Sequence, residues 1–589
     1  MSALSRRIFL GMLAPAAPGF GQGMASRGVK PAVRGKPSGL PFHAHFTDVA
    51  AQAGLKTAVI AGHQFRADYI FETMSCGIAF LDYDNDGWLD ILMLCGSRFG
   101  DPPEDASNRL YKNNRDGTFS DVTRQAGLWR RGFAQGVTVG DYNNDGFEDI
   151  FITYYGQNVL YRNNGDGTFT DVTKEAGLLS AMPRLGAGCT FVDYDRDGRL
   201  DLFVSNYADF DINVVPRSGD PSCNHSDVFC GPFGLPYGKH SLYHNNGDGS
   251  FTDVTAAAGI DKVSGGYGLT AVAADFDNDG WPDILLACDS TPSRLFRYNR
   301  DGTFREEGFE SGIALSDDGQ VQAGMGVGIG DLRLDGALDI IKTHFSGDTP
   351  AVLVNNGKGS FEDSTIRSGL AVETRYISWG VGIQDLDNDG NPDIFCVTGG
   401  IYPELDARTG FPPNKTPRVL FRNLGNGHFE ELLSEAGPGI ESPHISRGCA
   451  FGDFDNDGDV DVVIVNHYEP PSLLRNDISG SNHWIKVKLT GVKSNRSAIG
   501  ARVTARYLGK VHVQEVLGQC SYLSVNDRRL HFGLGSAATV DLEVRWPLGL
   551  VEKFAGISAD RLVFITEGSG ITHTQEFPAA AAAPVRLKT

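Results

Sequence analysis

A hard divalent cation bound by protein oxygens needs several carboxylates converging on one point, with a sharp turn that lets the last one come round from the far side. The stretch Asp82-Tyr-Asp84-Asn-Asp86-Gly87-Trp-Leu-Asp90 places acids at positions 1, 3, 5 and 9 and glycine at 6. The same nine-residue pattern returns at Asp141, Asn143, Asp145 and Asp149, and at Asp193, Asp195, Asp197 and Asp201. It returns again at Asp275, Asp277, Asp279 and Asp283, at Asp385, Asp387, Asp389 and Asp393, and at Asp453, Asp455, Asp457 and Asp461. One further copy, Asp331-Leu-Arg333-Leu-Asp335-Gly336-Ala-Leu-Asp339, carries arginine at position 3. A helix–loop–helix calcium site would have Glu at position 12, whereas here the twelfth residues are Met93, Ile152 and Val204. The flanks are short and apolar, as in Gly77-Ile-Ala-Phe-Leu81 and Ile91-Leu-Met-Leu94. Each loop is therefore expected to join two strands and to bind Ca²⁺. A guanidinium cannot share the ion's volume but can bridge two carboxylates through its planar fork. Arg333 is thus expected to stand in for the ion, leaving about six Ca²⁺ sites.

A second motif alternates with the first. Leu110-Tyr-Lys-Asn113-Asn114-Arg-Asp116-Gly117-Thr-Phe119-Ser-Asp121-Val122 recurs at Leu160, Leu242, Leu295, Leu353 and Leu420. Asn-Asn followed by Asp-Gly is hairpin chemistry, because these residues tolerate the positive φ of tight turns. Each unit then contains about four short strands, and seven such units predict an all-β, seven-bladed β-propeller. The first unit has an orphan Phe46-Thr47-Asp48-Val49, and the last has Leu473-Leu474-Arg475-Asn476 with no such partner after it. The N-terminal strand is expected to complete the last blade, which hides the edges of an open array.

The Asp loops, with Phe451-Gly452-Asp453, resemble FG-GAP/VCBS repeats, the calcium-loop blades also found in integrin α-subunits. The segment from Asn482-His-Trp484 through Ile499-Gly500-Ala501-Arg502, Ser521-Tyr522-Leu523 and Arg529-Leu-His531-Phe-Gly533-Leu-Gly535 to Val544-Arg545-Trp546-Pro547 is similar to the ASPIC/UnbV domain. The combination resembles bacterial relatives of cartilage acidic protein, some of which are named for enediyne biosynthesis clusters. The expected organisation is a twin-arginine-type signal over 1–25, a linker over 26–41, the propeller over 42–478, the ASPIC/UnbV domain over 479–567 and a disordered tail over 568–589. Alternation in Trp484-Ile-Lys486-Val-Lys488-Leu and Leu542-Glu-Val544-Arg-Trp546 makes that domain a small β-sandwich. Its Lys486, Lys488, Lys493, Arg496, Arg502 and Arg506 contrast with the acidic propeller, suiting docking onto it or an exposed cationic patch.

Net charge is −21, which argues against nucleic acid as a partner. Ser5-Arg6-Arg7-Ile8-Phe9-Leu10, followed by a weakly apolar stretch, reads as an export signal, giving a periplasmic or extracellular protein. No run of 18 apolar residues is present, so no transmembrane segment is expected. Of nine cysteines, Cys223 and Cys230 lie close together in one loop and are expected to pair.

If the Asp loops share one face, the strands leaving them end on the other, at Cys95, Tyr154, Asn206, Cys288, His344, Thr398 and Asn466. Variable loops follow there, and recognition tends to sit on such loops. Tyr155, Tyr207, His344, Tyr402 and His467 are the candidate ligand-binding residues, with aromatic rings beside carboxylates suited to a sugar or other polar ligand. No Gly-x-Ser-x-Gly, His-Glu-x-x-His or phosphate-cradling loop is present. The reading is an exported, calcium-stabilised propeller acting as a binding or adhesion module for a glycan, protein or small-molecule ligand. The alternative is an enzyme or accessory protein of secondary metabolism, of the enediyne type, with its site in the loops opposite the calcium face.

Overall fold

The computed structural model describes residues 25–180, 182–221, 223, 228–263, 265–406 and 413–577. The first read segment, the export signal over 1–25, lies outside them except for Ala25, as does the tail beyond Phe577.

Between Phe46 and Asn476 the chain forms antiparallel groups of four strands, five as separate sheets and two joined into one eight-stranded sheet where Arg184 and Leu185 pair with Gly156 and Tyr155, a propeller-like, all-β arrangement. Each group begins with a strand such as Ile78–Leu81, crosses an Asp loop to Asp90–Met93, returns through Arg109–Asn113, and ends after the Asp-Gly hairpin in Phe119–Asp121. The innermost strands of the other six groups are Ala134–Gly140, Arg184–Val192, Tyr267–Ala274, Val327–Gly330, Ser378–Gln384 and Ser446–Gly452. These strands are almost wholly buried and pack side by side around an axis. The seventh group holds only three strands of its own. Its fourth is Phe46–Asp48, which pairs antiparallel with Leu474–Asn476, Phe46 opposite Asn476. Phe46 is fully buried there.

The C-terminal segment folds as two four-stranded sheets. One contains His483–Thr490 running parallel to Arg561–Thr566; the other contains Arg502–Tyr507 between Lys510–Glu515 and Thr539–Arg545. Ile485, Val487, Val503, Leu542, Val544, Phe532 and Trp546 fill the space between the sheets. Residues 568–577, read from sequence as part of a disordered tail, are ordered. Gly570–Glu576 is an edge strand paired with Arg561–Thr566, because Arg561 to Thr566 would otherwise leave a row of unpaired backbone groups.

The segment read as a linker also has a fixed course. Arg27 grips Asp348 (Nη2–Oδ1 2.6 Å), Val29 and Ala32 donate backbone hydrogen bonds to Gly347 and Ala371, and Arg34 meets Glu431 at 2.6 Å. The guanidinium of Arg422 then donates to the carbonyls of Leu40 and Pro41. The arm thus runs past the fifth and sixth groups to the edge where Phe46 begins.

The sandwich sits on the Asp-loop face, and its basic residues do the docking. Lys486 pairs with Asp453, and Arg545 with Asp275. Lys488 lies 3.5 Å from Asp82, and Arg502 donates to the carbonyl of Gly336 at 2.6 Å. Lys493, Arg496 and Arg506 remain exposed. The Lys486–Asp453 pair is buried on both sides, so either partner alone would be an uncompensated charge.

From this sandwich the segment 518–527 descends into the axis of the seven groups. Val525 exchanges backbone hydrogen bonds with Ile78 and Phe80, and the carbonyl of Leu523 accepts from Val137. Gln519 accepts from the amide of Cys189 at 3.2 Å, while Ser521 and Val327 bond each other through both backbone groups at 2.7 Å. Ser521 Oγ accepts from Val381, and Asn526 Oδ1 from Phe451. Tyr522, fully buried, reaches the opposite end and donates to the carbonyl of Met74 at 2.9 Å. Glycine stands five residues before the first Asp in six of the seven groups, with Thr270 in the fourth. At Gly77 the reason is direct, since a Cβ there would lie 1.8 Å from the carbonyl oxygen of Leu523.

Candidate metal loops and the opposite face

Every Asp loop is built by the same local hydrogen bonds. The first carboxylate accepts from the amides of positions 5 and 6: Asp82 from Asp86 (2.8 Å) and Gly87 (3.1 Å), Asp453 from Asp457 (3.1 Å) and Gly458 (3.0 Å). The ninth is held by the returning strand, as where Asp90 accepts from Asn113 at 2.8 Å. Two positions take positive φ. One is the glycine at 6, for example Gly87 at 87°; the other, not singled out from sequence, is position 4. Asn occupies it in Asn85, Asn144, Asn278, Asn388 and Asn456, and Asn tolerates this region. Arg196 and Leu334 hold it without that tolerance.

These turns bring carboxylate oxygens together. The groups Asp82/Asp84/Asp86, Asp193/Asp195/Asp201, Asp275/Asp277/Asp279 and Asp385/Asp387/Asp393 each place one oxygen per residue within 4.8 Å of the others. Burial, with the neighbouring acids adding to it, pushes Asp90 and Asp149 up to about 9 and Asp193 up to about 8. Asp385, Asp393 and Asp461 are raised well above the usual range for the same reasons. Oδ1 of Asp84, Asp195 and Asp455 are buried with no hydrogen-bond donor. Such oxygens fit a cation with oxygen ligands, so several of these clusters can bind a metal.

The fifth loop differs. Arg333 turns inward, with Nη1 2.9 Å from Asp335 Oδ2, Nη2 3.2 Å from Asp339 Oδ1 and Nη2 2.6 Å from the carbonyl of Asn355. The guanidinium spans the carboxylates of positions 5 and 9. The fourth residue of the returning strand is basic in other groups, for example Lys112 against Asp84 and Arg297 against Asp283 (2.7 Å). In the fifth group it is Val354.

On the opposite face the five candidate ligand residues are engaged in packing. Tyr207 is fully buried and donates to Asp289 Oδ2 at 2.6 Å. His344 is buried, its Nδ1 2.7 Å from the carbonyl of Thr349, and burial lowers it to about 4. His467 is buried against the carbonyl of Ser75 and is lowered further by the same cause. Tyr155 is half-buried, its ring 5.1 Å from Phe71, and Tyr402 is half-buried against Phe229 at 5.2 Å. The three tyrosines belong to one apolar core under the loops. Around them Phe65 and Val214 are exposed at 78% and 69%. Cys223 and Cys230 are joined by a disulfide in the long loop of this face.

The family model described as "ASPIC and UnbV" matches residues 491–572. The model described as "FG-GAP-like repeat" matches residues 82–152, 141–204, 224–286 and 275–342. This is an FG-GAP repeat chain with a C-terminal ASPIC/UnbV domain. Among relatives, cartilage acidic protein 1 of Homo sapiens is 26% identical over 81% of this chain and 69% of its own length. The Mus musculus protein of the same name is 27% identical over 81% of this chain and 71% of its own. Among solved structures, an Agrocybe aegerita lectin, described for recognition of non-reducing terminal N-acetylglucosamine, covers 66% of this chain and 88% of its own at 17% identity and a TM-score of 0.39. The rhamnogalacturonan lyase YesX covers 83% of each chain at 12% identity and a TM-score of 0.28. FG-GAP repeats joined to an ASPIC/UnbV domain point to a binding or adhesion-like module. Among the described residues no helix is long and apolar enough to cross a membrane.

Proposed function

We propose that this FG-GAP/ASPIC protein is an exported, calcium-stabilised seven-bladed propeller that presents the loops opposite its metal face to a glycan or protein ligand. Six loops (those starting at Asp82, Asp141, Asp193, Asp275, Asp385 and Asp453) carry the donors for Ca²⁺, and the fifth carries Arg333 instead. The ion supplies the positive charge that the buried carboxylates need. The chain's own part is to aim them, through the amides at positions 5 and 6 and the returning strand. Export through a twin-arginine-type signal, with the propeller ending near 478 and the sandwich beginning near 479, belongs to the same reading.

The observation that carries it is the position of the C-terminal domain. It covers the Asp-loop face and fills the axis with residues 518–527, so the broad surface left to a partner is the opposite one, with its longest loops. Burial of His344 and His467 supports binding over acid–base chemistry there. The test is a glycan array and an extracellular-protein screen with the calcium-loaded chain, followed by Phe65→Asp and Val214→Asp. Both lie on the proposed face, and each should abolish any binding found. The control, Thr118→Ala on a hairpin tip of the metal face, should leave it intact. Binding that survives both aspartate variants would overturn the assignment of the face.

A further inference from the structure

The third loop has a donor that the others lack. In the first and fourth groups the fourth residue of the returning strand is a cation lying against the loop carboxylates, Lys112 and Arg297. The sixth and seventh groups also carry arginine at this place, Arg422 and Arg475. None of these can ligate a metal. In the third group the residue is His244, on strand Ser241–Asn245. Its Nδ1 stands 3.1 Å from Asp201 Oδ1 and 3.5 Å from Asp195 Oδ2. Donor atoms of Asp195, Asp197 and His244 lie within 4.8 Å of one another, as do those of Asp193, Asp195 and Asp201. Asp195 is common to both triads, so five side chains from two separate elements converge on one volume.

Two of those atoms carry a second, independent sign. His244 Nδ1 and Asp195 Oδ1 are shut off from solvent, and Nδ1 faces the loop carboxylates. Asp201, at the base of the site, is fully buried. An imidazole nitrogen facing carboxylate oxygens at 3.1 and 3.5 Å is a ligand when neutral and an ion-pair partner when protonated.

We infer that the third loop is a mixed nitrogen–oxygen site, selective for a divalent transition metal of the Mn²⁺–Co²⁺–Zn²⁺ class over Ca²⁺. It rests on the reading of the Asp loops as metal sites. Calcium takes oxygen donors and gains little from imidazole, whereas the first-row metals bind it well. His244 thereby makes one loop chemically distinct within a set of otherwise similar loops.

The test uses the full chain saturated with Ca²⁺, then given Co²⁺ in slight molar excess over the chain as the probe, with metal analysis after gel filtration and the visible absorption of bound Co²⁺. One Co²⁺ per chain should be retained against a Ca²⁺ excess of about 100-fold. His244→Lys installs the residue type of Lys112, and His244→Gln removes the imidazole without adding charge. Both should weaken Co²⁺ retention by at least about 100-fold, more than the loss typical of a supporting residue. Their Ca²⁺ content and melting should follow the unmutated chain. Displacement of Co²⁺ by Ca²⁺ from the unmutated chain, or retention by both variants, overturns the inference. A chain that retains no Ca²⁺ at all would instead refute the calcium reading, with Co²⁺ retention still deciding this one.

Discussion

Arg333→Asp converts the fifth loop from three carboxylates and a guanidinium into four carboxylates, the pattern of its neighbours. In the unmutated loop the guanidinium spans Asp335 at 2.9 Å and Asp339 at 3.2 Å, and the Asp339 side chain is fully buried. Removing one partner of a buried pair costs about 3–5 kcal/mol. Arg333 keeps 27% of its side chain exposed, which puts the loss near the low end, about 3 kcal/mol. In chelator the variant should therefore melt well below the unmutated chain. With Ca²⁺ at about 100 times its dissociation constant, a newly created site returns about 2.7 kcal/mol, so the two proteins should melt close together. Calorimetry in chelator and in Ca²⁺, with metal analysis of the desalted chains, reads both quantities. The variant should hold one ion more per chain. Seven ions in the unmutated protein would refute the reasoning, and so would an unchanged ion count in a variant that melts normally in chelator.

Acidity should act on the chelated protein in a defined sense. Burial raises folded Asp90 and Asp149 to about 9, whereas unfolded aspartates titrate near 4. The folded state without metal binds protons more tightly than the unfolded one, so its stability should fall as pH rises from about 4 towards 9. Ca²⁺ removes that fall, and the melting gap between loaded and chelated protein should widen with pH; a constant gap between pH 5 and 8.5 would contradict it. Gly77→Ala forces a Cβ onto the carbonyl of Leu523 and should cost about 1–3 kcal/mol in denaturant unfolding, as overpacking does. An unaffected midpoint would mean that residues 518–527 do not fill the axis in solution. Deleting residues 26–55 removes the strand opposite Leu474–Asn476 and should prevent folding; a cooperatively melting truncation would show that the ring closes another way.

Much of this architecture was legible because it is periodic. The Asp loops repeat in register, and the orphan Phe46-Thr-Asp at one end matches the missing strand at the other, so strand order could be reasoned from pattern alone. Arg333 was visible because it breaks that pattern. What stayed hidden is what does not repeat. Nothing in Gly518-Gln-Cys-Ser-Tyr-Leu-Ser-Val announces an axial segment, and its trace in the propeller is the glycine five residues before the first Asp in six of the seven groups, which reads as an ordinary strand glycine. The arm over 25–41 looks like a linker because its arginines meet carboxylates hundreds of residues away. His344 was read at the end of its strand and His467 in the loop after Asn466; the strands end at Lys342 and Asn466, and the burial of both histidines depends on loops whose packing no local signal encodes. His244 was missed for the opposite reason, since it sits inside a hairpin motif read only for its turn.

The axial segment has a consequence for the order in which the molecule can become whole. His45 and Asn476, joined by a hydrogen bond at the closure, are 431 residues apart in the chain, and residues 518–527 lie later still. A chain emerging from its N-terminus keeps its first strand unpartnered until residue 476, and its centre unfilled until residue 527, has been made. Contacts this distant are the slow ones in folding, and here they are also the last to become available. The finished ring is in effect a length check: a chain interrupted before the sandwich cannot seat Tyr522, and it displays that failure as an open edge and a hollow axis.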